Sequence, residues 1–284
     1  MREEEERIAL KLGYLGTQYR GFQIQPPSVS PTIEGELFKA FEKLNIIEGR
    51  VASNYSAAGR TDKGVHALSQ VVSFDTTNPN VTPRMINSML PDDIWAFALA
   101  KPHSDFNARK DAISREYRYF LPLQPDLDIT RMREASELLI GAHDFSNLSQ
   151  PPGHHEHEAE YYSPIREIKR VEIATENSFV VIDIEANGFL RKMVRKIVSA
   201  LKLVGGGTKK RQWVEDLVAR RVTEHIEPAP AFGLILKKVS YRDVEFVEDD
   251  YAKRRITTRL NEELAFHATM AEVLGDIVGA YVQL

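Results

Sequence analysis

The chain of 284 residues has no cysteine. Disulfides, thiolate catalysis and Cys-ligated zinc are excluded at once. No apolar run approaches the ~18 residues of a membrane span. The opening stretch MREEEER is acidic and lacks the apolar segment of a signal peptide. No membrane partner and a cytoplasmic setting are therefore expected. No G-x-G-x-x-G follows a strand-like stretch, no G-x-S-x-G is present, and VGGGTKK (204–210) lacks the spacing of a phosphate loop. Nothing asks for a nucleotide cofactor, and none is expected. HHEHE (154–158) lacks the i, i+4 spacing of a helical zinc site and lies among Pro and Gly, so the expectation is no metal.

Apolar residues make up 43% of the chain and charged residues 27%, the proportions of a soluble globular protein. The net charge of −4 argues against an undifferentiated polyanion binder. Its distribution says more, because association responds to local potential. Residues 166–221 hold 13 Lys/Arg against 7 Asp/Glu, whereas residues 241–284 hold 5 against 9. A basic middle can present a phosphate-binding face, or it can be a solvated helix surface.

Periodicity gives the elements. RIALKLGYLG (7–16) alternates Ile8, Leu10, Leu12 and Tyr14 with polar or small residues, as a half-buried strand does. TIEGELFKAFEKLN (32–45) puts Ile33, Leu37, Phe41 and Leu44 on one helical face. Strands are expected at 68–76, 94–101 and 115–123, near 166–174 and 179–186, and at 232–241. Helices are expected at 82–91, at 130–141 ending at Gly141, over 189–204, and at 210–222. The last helix runs from Thr257, with Leu260, Leu264, Ala271, Leu274 and Val278 on one face that packs on the body or on a second copy. Strand pairs mixed with helices point to α+β. A boundary falls near 102–112, giving an N-terminal half (1–104), a C-terminal half (105–245) and a helical extension (246–284).

GRTDKGVHA (59–67) stands out. It sets Asp62 between Arg60 and Lys63, on a loop bracketed by Gly59 and Gly64, just before a strand. Glycines let such a loop turn sharply, and loops at strand ends carry reactive groups. Asp62 is a candidate nucleophile or base, or an Asp in a polar turn. In REYRY (115–119), Tyr117 among arginines suits base stacking beside phosphates, or an amphipathic strand with its aromatics inward. Arg191 and Arg195, like Lys192 and Lys196, are four apart on the 189–204 helix. They flank an apolar stripe of Phe189, Met193, Ile197 and Leu201.

GRTDKGVHA resembles the active-site motif of the tRNA pseudouridine synthase A family. YLGTQYRGFQIQP (14–26), REYRYFL (115–121), HDFSNLS (143–149), NGFLRKMVRKIVSAL (187–201) and APAFGLILKKV (229–239) resemble further family segments, in the family's order. The tail beyond about residue 245 is similar to archaeal members.

The resemblance implies that Asp62 is the catalytic carboxylate and that Arg195 pairs with it. Tyr117 would stack on the target uracil and assist proton removal. Arg60 would extrude and replace the target nucleotide, and Leu234 would line the apolar side of the pocket. His66, Lys63, Arg191 and Lys192 would bind substrate. The implied fold is two α/β halves whose sheets join into one mixed, mainly antiparallel sheet, with helices on one side and a central RNA-binding cleft. The implied reaction is isomerisation of uridine to pseudouridine in the anticodon stem-loop of tRNA, at position 38, 39 or 40, by a homodimer. The N1 bond to ribose breaks, the base turns, and C5 takes its place, without redox cofactor, metal or ATP. A non-catalytic RNA-binding protein and a metal-dependent hydrolase built on the His cluster are the competing readings.

Overall fold

The computed structural model describes residues 5–26, 31–151 and 163–282. The His-rich stretch 154–158, with the metal reading attached to it, lies outside the described residues. The chain runs β1 (Glu6–Tyr14), α1 (Ile33–Lys43), β2 (Ser56–Ala57), β3 (His66–Thr76), α2 (Pro83–Asn87), β4 (Ile94–Ala100) and β5 (Ala112–Pro122). It continues α3 (Ile129–Ser136), β6 (Gly141–Asp144), β7 (Ile165–Glu176), β8 (Phe179–Ala186), α4 (Met193–Gly205), α5 (Arg211–Val218), β9 (Leu234–Tyr241), β10 (Val247–Glu248) and α6 (Asp250–Val282).

One ten-stranded sheet has the order β10-β4-β1-β3-β9-β5-β8-β7-β6, with β2 beside β3. All pairings are antiparallel except β3 with β9, where His66 meets Ile235 and Ala67 meets Leu236. That pair joins the strands of the first hundred residues, with β10 at their outer edge, to strands β5 to β9. The fold is the mixed, mainly antiparallel α+β sheet expected from the sequence.

Local chemistry sets the elements. Thr32 caps α1, its hydroxyl accepting from Gly35 N–H, which satisfies an orphan donor of the first turn. Ile33, Leu37 and Phe41 are buried, and Phe41 packs on Phe74 of β3 with ring centroids 4.7 Å apart. In β1 the residues Ile8, Leu10, Leu12 and Tyr14 are buried as their alternation predicts, but Arg7 and Ala9 on the opposite face are buried too. The expectation of a half-buried strand is corrected. The supposed boundary segment covers that second face: Arg7 Nε donates to Phe106 O (2.8 Å), Ala108 N donates to Ser73 Oγ (3.1 Å), and Phe106 and Ala108 are buried.

The helices differ in extent from expectation: α2 ends at Asn87, α5 at Val218, and α6 begins at Asp250. The segment expected to be helical up to Gly141 leaves α-geometry at Ser136, passes through a 3₁₀ turn at Glu137–Leu139, and Gly141 (φ +103°) already opens β6. The helix expected from 189 begins only at Met193, after Lys192 in a left-handed conformation (φ +59°).

A further difference concerns the packing of α6. Its first turns lie against α2 and β4, with Arg84 over the Tyr251 ring and paired to Asp249. From Leu264 onward every described residue is exposed. Its apolar face does not pack on the body of its own chain.

Candidate active site

The Asp62 loop is fixed through its backbone. Phe22 N donates to Thr61 O (3.0 Å), Val65 N to Asp62 O (3.1 Å), and Gln70 Nε2 to Gly59 O (2.9 Å). The Tyr14 hydroxyl and Thr61 Oγ1 share a bond of 2.9 Å. Gly64 has φ +79°, a turn that an L side chain would strain. Gly59 has no such need, since a Cβ there would meet nothing within 4 Å.

Arg115 anchors the residue that leads into this loop. Its Nη2 and Nε donate to Ala58 O at 2.8 and 3.2 Å. The same guanidinium donates to Arg109 O (2.6 Å), Ala112 O (3.1 Å) and Asn187 O (2.9 Å). One buried cation thus ties the Asp62 loop to the segment before β5 and to the turn after β8. The arginines of REYRY are expected on a phosphate-holding surface; Arg115 is instead buried and bonded to backbone carbonyls. The available signal was phase: Arg115, Tyr117, Tyr119 and Leu121 alternate on one face of β5 and all four are buried.

Across the cleft, the first turn of α4 presents Arg195. Its Nη1 donates to Asp62 Oδ2 at 3.2 Å, and its Nε donates to Ala229 O at 2.6 Å. Ala229 N returns a bond to Arg195 O (3.1 Å), so the guanidinium is held from behind. The two side chains are partly accessible, 23% for Asp62 and 13% for Arg195. Among the described residues, Arg195 gives the carboxylate its one hydrogen bond; the remaining lone pairs stay open to the cleft. The charge on Asp62 is paired by Arg195, 133 residues away, rather than by its sequence neighbours.

Tyr117 lines the same cleft, its ring edge-on to Phe189 with centroids 5.1 Å apart. Burial, with the Asp62 charge adding to it, pushes the Tyr117 hydroxyl pKa well above its ordinary value. Leu234 opens β9 and forms part of the apolar wall.

Arg60, Lys63, Arg191 and Lys192 all line this cleft of 1040 Å³, together with Asp62, Tyr117, Arg195 and Leu234. His66 does not. It accepts from Gly16 N at Nδ1 (3.1 Å), and burial lowers its pKa, so its role is to seat the first loop on β3.

Two expectations about charge are corrected. Arg191 and Lys192 precede α4 and share no helical flank with Arg195 and Lys196. Lys196 is buried, with Nζ donating to Ser149 O (2.8 Å). The basic middle of the sequence also does not supply the basic surface alone. Several of its cations are spent on carboxylates, among them Arg170, Lys209, Arg220 and Arg221. The cleft instead gathers eleven Lys/Arg against three Asp/Glu, including Arg20, Arg50, Arg109 and Lys110 from the first 110 residues.

A family model for tRNA pseudouridine synthase matches residues 12–109 and 135–242. The chain belongs to the tRNA pseudouridine synthase family. Members of this family are enzymes that isomerise uridine to pseudouridine. Among curated relatives, the tRNA pseudouridine synthase A of Methanosarcina acetivorans is 45% identical over 96% of this chain and 98% of its own. That of Archaeoglobus fulgidus is 41% identical over 93% and 94%, and that of Thermococcus sibiricus 36% over 95% and 98%. In this pseudouridine synthase, the stretches matched by the family model include Asp62, Arg195 and Leu234, whereas Arg115 and Tyr117 lie between them. Among the described residues no group of His, Asp and Glu could hold a metal ion, and no helix is long and apolar enough to cross a membrane.

Proposed function

We propose that this chain converts uridine to pseudouridine in the anticodon stem-loop of tRNA, at position 38, 39 or 40, with Asp62 as its catalytic carboxylate. The observation that carries the reading is an incompletely bonded carboxylate, held in place by Arg195, in a cleft rich in cations.

The reaction conserves atoms. The N1–C1′ bond breaks, the uracil turns, a C5–C1′ bond forms, the C5 proton leaves and N1 gains one. The base must first leave its stack, at a cost of a few kcal/mol. Arg60 at the mouth takes the vacated place, and cations on both walls hold the phosphates. Asp62 acts where the glycosidic bond opens, and Arg195 keeps that charge in place as water is displaced. Tyr117 packs on the uracil. Its raised pKa keeps the phenol protonated at rest, which makes it a donor and a wall before it can accept a proton. Leu234 closes the apolar side. Two copies acting on one tRNA, and a cytoplasmic setting, belong to the same proposal.

Unmodified tRNA transcripts incubated with the protein in EDTA, beside Asp62→Ala, test it by position-resolved mapping of pseudouridine. Conversion in the anticodon arm by the wild type alone is expected. Salt-dependent binding by both proteins without conversion would turn the reading to a binding module.

A further inference from the structure

We propose that α6 pairs antiparallel with α6 of a second copy, each helix laying its free end along the opening turns of the other. The inference extends the two-copy assembly above by naming its contact surface.

Three observations converge on it. First, at 1.5 Å per residue, the stretch from Leu264 to Val282 extends about 28 Å beyond the part of α6 that touches its own chain. It carries nine large apolar side chains in the open, from Leu264 to Val282. Monomeric proteins rarely expose so much contiguous apolar surface.

Second, the apolar positions are ordered. Leu260, Leu264, Ala271, Leu274, Val278 and Tyr281 follow the 4-3 spacing of a helix-pair seam, with His267 completing it. Phe266, Met270, Val273 and Ile277 form an adjoining stripe. In an antiparallel pair centred near residue 266, the free end of one helix lies beside the first half of the other, which rests on its own chain. The seam then serves the helix, and the second stripe serves the body beneath it. A parallel pair would leave the second stripe in water.

Third, charge is segregated along α6. Lys253, Arg254, Arg255 and Arg259 fall in its first ten residues, and Glu262, Glu263, Glu272 and Asp276 are the charged side chains after them. Lys253 pairs with Glu248, and Arg259 lies 4.0 Å from Glu263, so local pairing is partial. An antiparallel partner brings basic turns against acidic ones at both ends, whereas a parallel one would set like against like.

The absence of cysteine makes the test direct. Thr257→Cys and Leu274→Cys are made separately, and the mass and oxidative cross-linking of each, and of their mixture, are compared with the wild type. A Leu264→Glu/Leu274→Glu variant is weighed in parallel, with circular dichroism to check folding. Expected are a wild-type mass of two chains, cross-links only in the mixture, and a dissociation constant raised roughly 100-fold or more in the double Glu variant. Cross-linking of each Cys variant with itself overturns the antiparallel arrangement. A two-chain mass without cross-links, unchanged in the Glu variant, overturns α6 pairing and leaves the two-copy assembly standing. A wild-type mass of one chain overturns both, while tRNA conversion judges the enzymatic reading separately.

Discussion

Two carboxylate–arginine pairs lie in different parts of the sheet and are built differently. Asp183, on the strand face away from Tyr117, takes a two-pronged grip from Arg118 (2.8 and 2.6 Å) and a third bond from Lys237 (3.2 Å). Only 8% of its side chain is accessible, and the network continues through Glu116 to Arg170. Asp62 has one bond, longer, and nearly three times the accessibility. A saturated pair has nothing left to offer a substrate. A singly bonded one, with its partner braced from behind by Ala229 O, retains acceptor capacity at a fixed position. Bond saturation, rather than the presence of an ion pair, separates the carboxylate of a structural network from the one proposed to react.

The largest expected consequence is at Asp62. Its change to Ala should lower turnover by roughly 10⁴-fold or more, as removal of a central catalytic group does. The melting temperature should move little, because partly exposed ion pairs contribute only about 0–1 kcal/mol. An equal loss of turnover in Asp183→Asn would break the contrast. Next, Arg195→Met should cost about 10²–10³ in kcat, the scale of losing one preorganised donor, with KM for tRNA changed far less. Single-turnover kinetics at saturating tRNA would show the split.

Arg115→Met sharpens the comparison from the side of the scaffold. It strips the donors from buried carbonyls and should cost about 2–4 kcal/mol in urea unfolding, with Arg115→Lys recovering only part because it lacks the planar fork. The smallest effect concerns acid. Burial works against ionisation of Asp183, but its bonds from Arg118 and Lys237 outweigh it and hold the carboxyl below its usual range. The stabilisation is therefore complete above the unfolded pKa of about 3.9 and is lost as pH falls through the lower folded value. Thermal unfolding below about pH 4 should steepen less in Asp183→Asn than in the wild type, while conversion of tRNA stays intact.

Alternation and motif order are local signals, and they gave the strands and most helices; the residues expected at the site, Asp62, Arg195, Tyr117 and Leu234, come together in one cleft. What such signals miss depends on partners distant in sequence. The far face of β1 is buried because residues 103–111 fold over it, which alternation cannot show. The bonds of Arg115 reach Ala58 and Asn187 on other elements, which the pattern of REYRY alone does not show. Phe189 has the right spacing for a stripe on α4, but the left-handed Lys192 breaks the helix first and turns Phe189 to the Tyr117 ring instead. His66 sits within the motif and yet seats a backbone amide.

The single parallel pairing, β3 with β9, also has a temporal meaning. His66 and Ile235 are far apart in the chain, and loop closure of that length slows folding. During synthesis the first strands can pair among themselves, but β3 keeps an unpaired edge beside the Asp62 loop until β9 has been made. A nascent chain therefore carries the motif long before it carries the cleft. The walls of the cleft come together only when that last central strand docks.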